Sequence, residues 1–181
     1  SPMTAGLAAW RDSAKKVENL VQPVRASAQD RFGCATDRPA RMEIDSKVIL
    51  TLRGVTPSQD EGIAFARDKK RTRINVYRGS VITESVNADL LLQTPEGRIE
   101  GKDAYLLVEV TEGQTRVVVV DGTLTFTNDL GKVDVPAGSA TTVAHGEAPG
   151  APVEADAEKE VAWGRACDPK NLIPNPGFED G

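Results

Sequence analysis

A mainly β fold of short strands, with a helix at either end, is what this 181-residue sequence predicts. Three observations carry the prediction. Glycines recur at Gly113, Gly122, Gly131, Gly138 and Gly146, every seven to nine residues. Between them lie runs rich in β-branched and aromatic residues, at 106–110, 116–120, 124–127, 133–135 and 141–143, each bounded by turn formers. Near both termini the apolar residues instead recur at threes and fours, the spacing of a helix face. A chain that reverses so often in short strands fits a β-solenoid or a small β-sandwich.

Taken in order, residues 4–29 predict a helix. Thr4 would cap it, with Leu7, Trp10, Ala14, Val17, Leu20, Val21 and Val24 on one side and Arg11, Asp12, Lys15, Lys16, Glu18 and Asn19 on the other. Pro23 removes a hydrogen bond from that helix, so a kink or two consecutive helices are expected. The apolar stripe should pack on the β region; a coiled partner helix or a stem below a membrane anchor are the alternatives. Residues 33–39 read as a turn, and strands start at Arg41. Residues 58–62 read as a loop, and the basic run 68–73 as a solvated hairpin turn. A strand over 88–93 leads into Thr94-Pro95, where proline ends the ladder. The expected core includes Leu52, Ile74, Val76, Val81, Leu91, Leu107, Val118, Val120, Phe126, Val135 and Val143. Residues 147–152 (EAPGAP) form a linker and 153–165 a second helix, whose Trp163 should dock on the same face as Trp10.

Composition narrows the function. A net charge of −5 and a pI near 5.0 give no electrostatic footprint for nucleic acid or for an anionic membrane surface. No apolar run approaches the roughly 18 residues of a membrane span, so none is expected within this chain. His145 is the only histidine, with no serine or cysteine beside it to act as a nucleophile. Asp121-Gly122 and Asn128–Gly131 lack the alternating oxygen ligands of a calcium loop, and Asx-Gly pairs are what tight turns need. No phosphate-binding glycine motif occurs. The expectation is a protein that is not an enzyme, with no catalytic, cofactor-binding or metal residues.

The glycine-rich stretch also resembles the extracytoplasmic domain of the FecR family. The matching residues are Thr94-Pro95-Glu96-Gly97, Ile99 with Gly101, Val108 and Val110, Val118–Asn128 around Gly122, and Gly131–Val143 around Ala137-Gly138. Upstream, 40–44 with 48–52 resemble the family's opening strand pair, and 74–81 its glycine-valine step. The likeness covers about residues 35–146. It implies a bacterial periplasmic or cell-surface location and protein–protein contact in envelope signal transduction, of the anti-sigma regulator type. The alternative is a structural surface or filament subunit, self-associating through strand edges. Family members that regulate iron uptake carry Gly-Thr where this chain has Gly101-Lys102; without a hydroxyl for an N-to-O acyl shift, self-processing is not expected. Such members often have a membrane helix and an anti-sigma segment before this domain, so the chain is expected to be an exported piece of something larger or a mature cleaved chain.

The organisation that follows is a helical segment (1–33), a FecR-like β domain (34–146), a linker with a short helix (147–170) and the start of a second domain (171–181). The last of these, N-L-x-x-N-x-G-F-E-x-G from Asn171 to Gly181, resembles the first strand of a jelly-roll carbohydrate-binding module; a glycan partner is implied only through the rest of such a module. Cys34 and Cys167 form no metal-type group with His145. In an oxidising compartment they are most simply a disulfide clamping the ends of the domain, with two free buried thiols as the alternative.

Overall fold

The computed structural model describes residues 7–20, 25, 27–44, 47–68 and 71–165. Strands β1 (Leu7–Arg11), β2 (Lys16–Asn19), β3 (Arg31–Cys34), β4 (Ala40–Ile44), β5 (Val48–Arg53), β6 (Ile63–Asp68), β7 (Arg71–Val76) and β8 (Gly79–Ser85) make up the first half. Then come β9 (Asp89–Thr94), β10 (Gly97–Lys102), β11 (Tyr105–Thr111), β12 (Gln114–Asp121), β13 (Thr123–Asn128), β14 (Gly131–Pro136), β15 (Ser139–Ala144) and β16 (Val153–Glu154), followed by α1 (Ala157–Glu160) and α2 (Ala162–Arg165). They form two sheets. Sheet A is ordered β14-β13-β10-β9-β7-β6-β3-β1-β2, and sheet B β16-β15-β12-β11-β8-β5-β4.

The glycine cadence belongs to a sandwich and not to a solenoid. From β9 onward successive hairpins alternate between sheets, with β9–β10 in A, β11–β12 in B and β13–β14 in A before the chain returns to B at β15. Turn glycines therefore serve hairpin tips and sheet-to-sheet crossings in alternation. Gly122 makes the crossing from β12 to β13 at φ +87°, a backbone conformation that side chains disfavour; a Cβ there would also lie 3.2 Å from the Asp103 carbonyl. The one parallel pair among the described strands, β7 with β9, follows from the same alternation, because β8 between them lies in the other sheet.

Period-two alternation places Leu50, Leu52, Val81, Leu106, Val108, Val117 and Val119 of sheet B against Phe32, Ile74, Leu90, Leu92, Ile99, Leu124 and Phe126 of sheet A. Sheet B is apolar on its outer face too. Ile82, Leu107, Val118 and Ala140 stand side by side across β8, β11, β12 and β15, and Ala157, Val161 and Trp163 of the C-terminal segment cover them. All the expected core residues are buried except Val120, which is half-buried beside this second cluster.

Two expectations are corrected. The helix over 4–29, and with it the helical segment 1–33, is replaced in the described residues by β1, β2 and β3. Leu7 fits a helical stripe with Trp10 and a period of two with Ala9, and pairing Ala9 with Phe32 buries Leu7 and Ala9 in the sandwich. Between β1 and β2 the Arg11 carbonyl accepts from the N–H groups of Ala14 (3.2 Å) and Lys15 (2.8 Å), and Lys15 turns the chain at φ +53°. The buried Asp30 carboxylate holds that turn, accepting from the N–H of Asp12 (3.0 Å) and of Ser27 (2.9 Å) and pairing with Arg11 Nε (3.2 Å). Tertiary pairing has overridden a weak local preference. At the other end, 153–165 is not one helix: Val153–Glu154 adds to β15, and α1 and α2 are single turns either side of Val161. Trp163 packs on the outside of sheet B, while Trp10 belongs to β1 of sheet A, so the two do not share a face.

Candidate functional site

Chemistry-bearing side chains gather at one end of the sandwich, around the Thr94-Pro95-Glu96-Gly97 step between β9 and β10. Glu96 is buried with its carboxylate between the sheets. Its Oε1 accepts from the Thr115 hydroxyl of β12 at 2.8 Å, and that hydroxyl lies 3.1 Å from Thr94 Oγ1. Thr94 donates to the Gly97 carbonyl at 3.1 Å. The other carboxylate oxygen is 3.7 Å from Nδ1 of His145, whose side chain is 80 % exposed. Asn128 Nδ2 donates to the Glu96 carbonyl (3.2 Å) and to the Glu147 carbonyl (2.8 Å). One cluster thus ties a sheet A hairpin to β12 and to the segment after β15. A buried carboxylate is costly unless hydrogen-bonded, so the step serves as an inter-sheet clasp. The sequence motif marks Thr94 and Gly97 and contains Glu96 without giving it a role, while Thr115 lies outside the motif. The signal was there in Thr115, a polar residue on the inward face of the Val-rich β12.

The predicted site residues disperse around this frame. Gly101 lies within β10, paired with Leu90 on one side and Leu124 on the other; a Cβ on it would stand 2.2 Å from Leu124 Cδ2. The Gly101-Lys102 step is therefore a ladder segment whose missing side chain makes room for a core leucine. Asn128 Oδ1 accepts from the N–H groups of Leu130 (2.9 Å) and Gly131 (3.1 Å), the bonding of an Asx turn. Cys34 is half-buried, its thiol donating to the Leu52 carbonyl at 3.4 Å, and burial pushes its pKa up. The pairing predicted for it falls on Cys167, which lies outside the described residues, as does the whole of 171–181. Among the described residues no group of three or more His, Cys, Asp or Glu side chains is placed to hold a metal ion, and no helix is long and apolar enough to cross a membrane.

Two surfaces remain. Beside Trp163 an open groove of about 510 Å³ is lined by Arg53, Arg78, Ser80, Glu109 and Glu112. The Arg53 guanidinium stacks 4.1 Å above the Trp163 ring, while Arg116 bridges Glu109 (3.0 Å) and Glu160. Hydrogen bonding to Arg116 pulls the Glu160 pKa down despite partial burial. These contacts fasten the C-terminal strap, so the groove's charged walls are largely spent on structure. The sheet edges are the other surface: β14 and β2 bound sheet A, β4 and β16 bound sheet B.

Two crystal structures share this fold. Both are of a "putative anti-sigma factor from Parabacteroides distasonis ATCC 8503", at 1.65 and 2.50 Å resolution. Each is 11% identical to this chain over 70% of its length, with TM-scores of 0.54 and 0.55. The chain matches 60% of the length of those proteins. No family model matches the sequence, and no curated protein does.

Proposed function

We propose that this chain is a non-enzymatic, extracytoplasmic FecR-like domain that works by protein–protein contact in envelope signal transduction, as part of an anti-sigma type regulator. The observation that carries the reading is the two-sheet sandwich itself, shared with the putative anti-sigma factor structures over 70% of the chain. The order of the Thr94–Gly97 step, the Gly122 crossing and the Gly131–Val143 hairpin region supports the finer family assignment. The internal clasp supports a contact role as well, since Glu96 is bonded to Thr115 within the fold and the edge strands keep outward backbone groups for pairing. In this reading a bound partner acts on whatever membrane segment accompanies the domain. A structural surface subunit carrying a glycan-binding module is the second reading, and the same open edges favour it.

The test is competition. Exporting extra copies of the isolated chain in the bacterium that encodes it should titrate the partner and change transcription of a small, defined set of genes several-fold. An unchanged transcript profile, with the protein verified in the envelope, would sink the regulatory reading.

A further inference from the structure

We propose that the free edge of sheet A recognises a second copy of the chain, β14 pairing antiparallel with β14 about a two-fold axis so that two sheets A become one. The proposal rests on the contact reading above and names the partner.

β14 bonds to β13 on one side, and among the described residues no strand pairs with the other. The hairpin closes on the pair Asn128–Gly131 across Asp129-Leu130. Every second residue of an edge strand turns its N–H and C=O outward; counted from that closing pair, these residues are Lys132 and Asp134. Their side chains stand on the exposed face. Val133 and Val135 point the other way, opposite Phe126 and Leu124 and onto the core. Centring the two-fold on Val133 then sets Lys132 of each copy against Asp134 of the other, and valine against valine on the core side. The outward backbone groups meet in the same register. Directly opposed unlike charges favour a ladder and like charges oppose it. Leu130, 58% exposed at the turn, comes to Pro136 of the second copy. Pro136 has no N–H to give and ends the ladder there.

The opposite edge explains why the assembly closes. β2 carries a similar pattern, Lys16-Val17-Glu18, but with reversed faces: Glu18 pairs with the core residue Ala9 and Val17 with Trp10. Joining β14 of one copy to β2 of the next, with the two cores kept on one side, sets Val133 and Val135 on the face of Lys16 and Glu18, and Lys132 and Asp134 on the face of Val17 and Asn19, so that no unlike charges oppose within the two strands. Head-to-tail growth is disfavoured, and the self-complementary edge gives a two-fold dimer.

Sedimentation of the full chain over a concentration series tests this. Wild type should show a weak monomer–dimer equilibrium, as a small interface would give. Lys132→Asp and Asp134→Lys should each weaken it about tenfold or more, because two attractive pairs become repulsive. A one-to-one mixture of the two variants should dimerise again, and the double variant K132D/D134K should recover wild-type behaviour. Because Asp134 also accepts from Thr125 at 2.8 Å, circular dichroism of each variant separates loss of folding from loss of pairing, with K132D the cleaner probe. A chain that is monomeric up to about 1 mM, far above the range of specific weak complexes, overturns the proposal, as does a dimer indifferent to both charge reversals, which would place pairing at β2 or elsewhere. A monomer that still alters transcription refutes the dimer and leaves the regulatory reading standing; a dimer without transcriptional effect does the reverse.

Discussion

Sheet B carries a second apolar cluster on its outer face under the C-terminal strap, whereas the outer face of sheet A is mixed, with Leu91 buried beside charged neighbours such as Glu100. On β11 the consecutive leucines Leu106 and Leu107 are both buried, the first against sheet A and the second beneath the C-terminal strap. On β10 of sheet A, Ile99 is buried while Glu100 beside it is partly exposed and bonded to Arg71 (3.0 Å) and Arg98 (2.9 Å). The difference teaches where each sheet can meet another molecule. Sheet B has spent its outer apolar row on its own chain, whereas sheet A keeps a largely charged outer face that runs out to the self-complementary edge of β14.

The largest expected effect separates the two sheets by a pair of neighbours. Leu106→Ala and Leu107→Ala should each cost about 2–5 kcal/mol, as deletions from packed interiors do. In β10 only Ile99→Ala should fall in that range. Urea unfolding of the three variants checks it, and a mild Leu107→Ala would mean that the strap does not bury the outer row.

Trp163→Ala comes next, at about 1–3 kcal/mol for a half-buried aromatic that also carries the Arg53 stack. It should also raise binding of an apolar dye by loosening the cover over Ile82, Leu107 and Val118. A stability loss with no new dye binding would mean the strap stays seated without its tryptophan.

Asp30→Asn tests the N-terminal hairpin of sheet A and should cost about 1–3 kcal/mol near neutral pH, the range for breaking a buried charged hydrogen-bond group. Burial alone would raise the Asp30 pKa, but the N–H bonds from Ser27 and Asp12 and the Arg11 charge outweigh it and hold the value below the ordinary range. A carboxyl lowered by folding contributes fully above its unfolded value of about 3.9 and loses that contribution as pH falls through the lowered folded value. The gap between wild type and variant should therefore be widest above about pH 5 and narrow in acid. A gap that widens on acidification would reverse the sign of this assignment. Glu100→Gln is the smallest change, within about 1 kcal/mol for a pair of partly exposed ion pairs, and should shrink further in high salt.

Legibility in the sequence followed position along the chain and cut across both sheets. From Asp89 to Ala144, local turn chemistry and strand period agree with the tertiary pairing, so the strands and most of the core there could be read from the glycines and the alternation between them. Residues 7–19 were ambiguous, because Leu7, Trp10 and Val17 fit a helical stripe while Leu7 and Ala9 fit a strand, and the deciding partner, Phe32, is distant in sequence. The choice between solenoid and sandwich was equally hidden, since both need the same turns and differ only in which strands pair. Of the site, Thr94 and Gly97 were visible as a motif. The Glu96–Thr115 bond was not, because it joins residues 19 apart across two sheets.

Hydrogen exchange on the full-length chain, run at low and high protein concentration, tests the central contrast most directly. The amides of β11 and β12 should exchange slowest at both concentrations, and those of β2 fast at both. The outward amides of Lys132 and Asp134 should slow only at the higher concentration. Equal exchange of Lys132 and Asp134 at every concentration, or slow uninterrupted protection across residues 7–19 as in a packed helix, would contradict it.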